Sequence, residues 1–161
     1  MEGPAPRSRV RKTSVSEKRN PVLIGLAQLV ERDADPESGQ GPIEMMLQIA
    51  REAATDCGAP GPALEAVDTV GVVGLAGTRA KNPPQLVARE LGIRPRRELM
   101  TEVGGEMPLV MVNQLAEEIV SGASEMALIL GANSLATMAA AHKGGHHLDW
   151  LEGGDGEPEM L

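Results

Sequence analysis

The run of this 161-residue chain best suited to chemistry is Thr101-Glu102-Val103-Gly104-Gly105-Glu106-Met107-Pro108. It stands between a β-type run, 98–103, and a helical pattern that stops at Gly122. Glycines let a ligand approach the main chain closely, and the following helix aims N–H groups and the positive end of its dipole at the turn. An anion, or a nucleophile carried on the turn, is stabilised in such a place. Gly104, Gly105 and Glu106 are therefore the candidate substrate-binding residues. Glycine is also the ordinary turn residue, so the pattern alone names no reaction.

The other reactive side chains read as structural. Cys57 is the only cysteine, which excludes an intramolecular disulfide and a cysteine-rich zinc site. It ends the apolar face of a helix, where a buried thiol is the expected role. His142, His146, His147 and Asp149 lie close together, but two glycines loosen the segment and the spacing fits no regular zinc pattern, so no metal is expected. Trp150 reads as the anchor of that loop. Gly71-Val-Val-Gly74-Leu-Ala-Gly77 follows a strand, yet it lacks the spacing and the directly opening helix of a dinucleotide fingerprint. Arg94, Arg96 and Arg97 read as a solvated loop before a strand.

Periodicity supplies the scaffold. Residues 22–27 form a short apolar, β-branched run that reads as a first strand, and 31–39 form a polar loop. Ile43, Met46, Leu47, Ala50, Ala53, Ala54 and Cys57 recur at helical spacing after Pro42, with Gly58 as the stop and Pro60 and Pro62 beyond it. A second strand spans 68–73, a short helix 85–91 ends at Gly92, and a third strand spans 98–103. In the next helix Leu109, Val112, Leu115 or Ala116, Ile119 and Val120 form the apolar face, with Glu117 and Glu118 outward. A fourth strand, 126–130, and a small-residue helix, 135–142, complete the pattern, and everything from Lys143 on reads as loop. Strands alternating with helices predict an α/β fold with a mostly parallel sheet covered by helices.

Composition bounds the function. Trp150 is the only aromatic residue, with no Phe or Tyr, which argues against base-stacking platforms, ammonium cages and aromatic interface hot spots. Residues 1–20 hold six cations against two carboxylates, a charge of +4, so the rest carries −12 of the net −8. An acidic body repels nucleic acid and anionic membranes; neither is an expected partner. The basic stretch reads as a solvated leader without the apolar core of a secretory signal, and no run is long enough to span a bilayer. The chain is expected in the cytoplasm, in three parts: leader 1–20, α/β domain 21–142 and tail 143–161.

Residues 102–134, with the Gly104-Gly105-Glu106-Met107-Pro108 turn, Val112-Asn113-Gln114 and the apolar strand ending Gly131-Ala132-Asn133-Ser134, resemble the nucleophile–helix–strand segment of the thiolases. Pro21-Val-Leu-Ile-Gly-Leu-Ala-Gln28 is similar to a thiolase first strand. The nearest likeness is to the thiolase-like group labelled acetyl-CoA acetyltransferase, whose turn reads Gly-Gly-Asn-Thr-Pro in place of a cysteine motif. The likeness covers about residues 21–155.

That resemblance implies the N-terminal half of an α/β/α layered acyl-CoA acyltransferase of lipid metabolism, with acyl-CoA as substrate and no further cofactor. It places the family's acyl-accepting cysteine on Gly105, which carries no nucleophile, so no catalytic residue is assigned. The family's histidine motifs and second cysteine belong to a C-terminal half that this sequence does not include. The isolated chain is expected to be inactive, truncated in its tail, and either homo-oligomeric or paired with a C-terminal thiolase half. Met45, Met46, Met100, Met107, Met111 and Met126 would then suit an adaptable surface awaiting that partner. The Arg94–Arg97 cluster would be a natural contact for the 3′-phosphate of CoA. The competing reading is a non-catalytic α/β scaffold or partner subunit of an acyl-CoA enzyme; a third, a small nucleotide-binding module, lacks a phosphate loop.

Overall fold

The computed structural model describes residues 19–32 and 35–161. The expected leader 1–20 therefore lies, apart from Arg19 and Asn20, outside the described residues. Helix α1 (Pro42–Asp56) begins where expected, with Pro42 in its first turn, and buries Ile43, Met46, Leu47, Ala50 and Ala54. Gly58 turns the chain at φ 80°. Beyond it Pro60 and Pro62 stand in the first turn of a short helix that the sequence pattern did not indicate, α2 (Pro60–Ala66). Proline is tolerated there because the first turn of a helix needs no N–H donors.

Strand β1 (Thr69–Val72) is buried along its whole length. Helix α3 (Pro83–Leu91) follows; the Asn82 side chain accepts a hydrogen bond from the Gln85 amide at its start, and Gly92 closes it in the left-handed conformation. Strand β2 (Arg97–Met100), helix α4 (Met107–Ser121), strand β3 (Ala127–Leu130) and helix α5 (Leu135–Gly144) come next. Residues 159–160, expected in a loop, form a short strand, β4 (Glu159–Met160). The sheet order is β3-β1-β2-β4 and every pairing is parallel. The fold class expected from the sequence is thus observed: a mixed α/β unit with a parallel sheet.

The pleat of β1 divides the interior. Val70 and Val72 pack with Ile43, Met46, Leu86 and Val87 of α1 and α3. Gly71 faces the other way, where Met111 lies so close that no β-carbon fits, and Leu99, Met111 and Leu115 make a second, smaller core with α4.

Two expectations are corrected. Residues 22–27 do not form a strand. Their backbone enters no ladder, and Val22, Leu23 and Leu26 are largely exposed. Strand structure requires a hydrogen-bonded neighbour, and this segment has none: a cavity of about 60 Å³ lies between Ile24 and Gly25 on one side and Ala127 and Leu128 of β3 on the other. It is held instead on α1, where Gly25 lies against the Ala53 carbonyl and the Leu26 amide donates to Asp56 Oδ2 at 2.9 Å. The second correction is the rotation of α4, which buries Met111, Leu115 and Glu118 and leaves Leu109, Val110, Val112 and Val120 exposed. The helix has apolar residues on two faces, and the sheet takes the one on which Glu118 meets Arg97.

Candidate functional site

The parallel strands bring three loops to one end of the sheet: 73–77 after β1, 101–106 after β2 and 131–134 after β3. In open α/β sheets ligands bind at this carboxyl end. The loops are tied together by small groups. Thr101 is fully buried; its hydroxyl donates to the Glu102 carbonyl at 2.8 Å and accepts from the Gly74 amide at 3.0 Å. Gly74 packs against the Glu102 backbone with no space for a β-carbon, and Gly77, at φ +79°, packs against Met138 of α5. The glycines of the 71–77 run are thus packing glycines, and no helix opens on them.

Gly104 is half-buried, whereas Gly105 and Glu106 are exposed at the mouth of this turn. Neither glycine has a positive φ, and a β-carbon at Gly105 would meet nothing within 4 Å. The turn geometry therefore does not demand glycine at 105; a side chain fits there. Glu106 occupies the N-cap of α4 but makes no side-chain capping bond. Met107 donates to the Gly104 carbonyl at 3.3 Å and Pro108 has no N–H, so fewer helix-end donors are free than a bare helix terminus offers. Among the described residues, the amides of Gly105 and Glu106 donate to no protein group. Two adjacent backbone donors of this kind suit a carbonyl oxygen or a carboxylate. No cysteine, serine or histidine lies in the turn, so it offers backbone donors but no nucleophile to accept an acyl group.

Cys57 forms the C-cap of α1, with its thiol donating to the Ala54 carbonyl at 3.0 Å, about 50 residues in sequence from the turn. The thiol expected to be buried is only half-buried, because it ends the helix beside a small cavity. The arginine cluster is largely spent on ion pairs. Arg96 reaches Asp68 at 2.6 Å, and Arg97 forks between Glu118 at 2.5 Å and Glu159 at 2.8 Å. Only Arg94 of the three has no such partner among the described residues.

The sequence reading missed these ion pairs. Burial raises the Asp68 pKa, but hydrogen bonds from Ser124, the Glu125 amide, Arg96 and Thr69 outweigh it and hold the carboxyl at about 2, below the usual 3.8. Glu118 is also raised by burial and lowered further by Arg97 and Gln114, with a net downward shift; Glu159 and Glu118 raise Arg97. The signal available was Gln114 and Glu118 at i, i+4 beside the buried Met111 and Leu115. Trp150 anchors its loop as expected, its indole N–H donating to the Gly39 carbonyl at 3.1 Å. Among the described residues no group of three His, Cys, Asp or Glu side chains is placed to hold a metal ion, and no helix is long and apolar enough to cross a membrane. The methionines do not form an exposed surface: Met45, Met46 and Met111 are buried and Met100, Met107 and Met126 half-buried, because their flexible side chains fill the gaps under the helices.

A parallel sheet layered by helices, with a glycine turn and a helix N-terminus at its carboxyl end, defines an open α/β unit. Among solved structures the chain is similar to a monomeric SCP2-thiolase like protein type 1 from Mycobacterium smegmatis, with 29% identity and a TM-score of 0.61. The match covers 71% of this chain and 24% of that protein, so the chain spans about a quarter of its neighbour's length. No family model matches the chain, and no curated protein matches it.

Proposed function

We propose that this chain is the N-terminal portion of a thiolase-like acyl-CoA acyltransferase of the acetyl-CoA acetyltransferase type, inactive by itself. The observation that carries the reading is the β2–turn–α4 unit at the carboxyl end of a parallel sheet whose solved neighbour is thiolase-like. In this reading the amides of Gly105 and Glu106 receive the acyl carbonyl, and catalysis needs groups from elsewhere because Gly105 has no side chain. The exposed apolar residues of α4 and the outer edge of β3, unpaired among the described residues, are surfaces that a C-terminal thiolase half, or a second copy, covers. Acyl-CoA is the substrate and the cytoplasm the compartment.

The test is covalent. In Gly105→Cys supplied with a C-terminal thiolase-like half and acetyl-CoA, the thiolate attacks the acetyl carbonyl, CoA leaves as its thiol, and the chain gains one acetyl group by intact mass. An unacetylated chain under those conditions removes the assignment of position 105.

A specific observation favours a second reading, a non-catalytic partner subunit of an acyl-CoA enzyme: position 105 has room for a side chain yet lacks one, so packing does not explain the missing nucleophile. Reading the DNA past codon 161 separates the two. A frame continuing into a Gly-His-Pro-like segment supports the first, and a stop followed by a separate enzyme gene supports the second.

A further inference from the structure

All three histidines of the chain and its only aromatic residue line one cavity, which includes none of Gly104, Gly105 and Glu106. His142 comes from the last turns of α5, His146 and His147 from the segment after it, and Trp150 from the strap that follows; Arg79 of the loop after β1 forms the opposite rim. The cavity holds about 220 Å³, the liquid volume of roughly seven waters, and is open to solvent on one side.

Its walls are fixed by the fold. Trp150 is tied to Gly39, the Leu151 amide donates to Glu44 Oε1 at 2.6 Å, and the fully buried Asn82 donates to the Asp155 carbonyl at 2.9 Å, so the strap 150–155 is pinned at three points. The opposite wall is pinned by Gly77, where a β-carbon would collide with Met138.

The lining is chemically mixed in a useful way. Met138, Leu148 and Trp150 supply apolar surface, while Arg79 and the imidazoles supply donors at the mouth. Carboxylates of the protein already occupy some of these donors: Arg79 pairs with Glu152 at 3.4 Å and His146 Nδ1 lies 4.0 Å from Glu37. Both pairs are exposed, and such pairs are weakly held and readily exchanged. A metal ion does not fit, because no three ligands converge.

We propose that this cleft binds a small monocarboxylate bearing a short apolar tail, with the carboxylate on Arg79 in place of Glu152 and the tail against Trp150 and Met138. The inference does not depend on the acyltransferase reading. Trp150 is the chain's only strong fluorophore, so its emission reports directly on occupancy. Titration of the full chain with hexanoate is expected to give a saturable change, with NMR line broadening of hexanoate as the independent readout. Hexanol and inorganic phosphate, each lacking one half of the recognition, are expected to bind more weakly by about tenfold. Arg79→Ala, at an exposed position, weakens hexanoate by about tenfold, and Glu152→Gln, which removes the competing carboxylate, tightens it by about twofold. Arg89→Ala, an exposed arginine elsewhere, leaves binding unchanged. The proposal is overturned by no saturable response in either readout, by phosphate or hexanol binding as well as hexanoate, or by hexanoate binding that ignores Arg79→Ala.

Discussion

Glu118 and Asp68 are the residues on which the sheet and its outer helix depend most. Both are carboxylates the sequence reading assigned to no partner, and both are ionised and hydrogen-bonded, Glu118 buried and Asp68 half-buried. Glu118 shows why a single-sequence reading fails at such a position. A glutamate among valines and leucines reads as outward-facing, and only the remote Arg97 makes the inward orientation favourable. Replacing Glu118 by Leu leaves Arg97 half-satisfied and is expected to destabilise the chain by about 2 kcal/mol in urea unfolding, whereas Arg97→Met with Glu118→Leu recovers most of that loss. Asp68 sets an acid limit. Its folded pKa, about 2, lies below the ordinary 3.8, so the stability it contributes is full above pH 5 and is lost as pH falls toward 2. The shift corresponds to on the order of 2 kcal/mol. Unfolding of Asp68→Asn at pH 7 should show a loss of that size and a flatter dependence between pH 5 and 3; an unchanged acid profile would refute the role of Asp68.

At the scale of elements, local signals and neighbour-dependent ones part company. Helices α1 and α3 were legible because proline starts, glycine stops and a 3.6-residue apolar period are properties of the segment itself. So were β1 and β3, within a residue at their ends. The run 22–27 has the same apolar, β-branched composition, yet a strand exists only beside another, and that condition is not written in the run. Gly25 locates this segment on α1. Gly25→Val cannot fit against the Ala53 carbonyl, so hydrogen exchange at the Leu26 amide should accelerate to that of unprotected backbone while the amides of β1 keep their protection. The candidate turn was legible as strand–glycine–glycine–helix. Its available donors were not, because they depend on how Met107 bonds back to Gly104.

At the scale of the molecule, the two faces of the sheet are unequal. On one side α1, α2 and α3 enclose the larger core; on the other α4 packs only Met111 and Leu115 over Leu99 and turns Leu109, Val112 and Val120 to solvent. An exposed apolar helix face of this kind, beside a β edge unpaired among the described residues, is expected to associate with a partner surface. This face is expected to be an interface rather than a free surface. Sedimentation velocity of the full 16.9 kDa chain, with a hydrophobic dye in parallel, tests it most directly. The predicted result is concentration-dependent association and strong dye binding, both suppressed in Leu109→Asp with Val112→Asp, two substitutions at exposed positions. A monodisperse monomer that binds no dye would contradict the account.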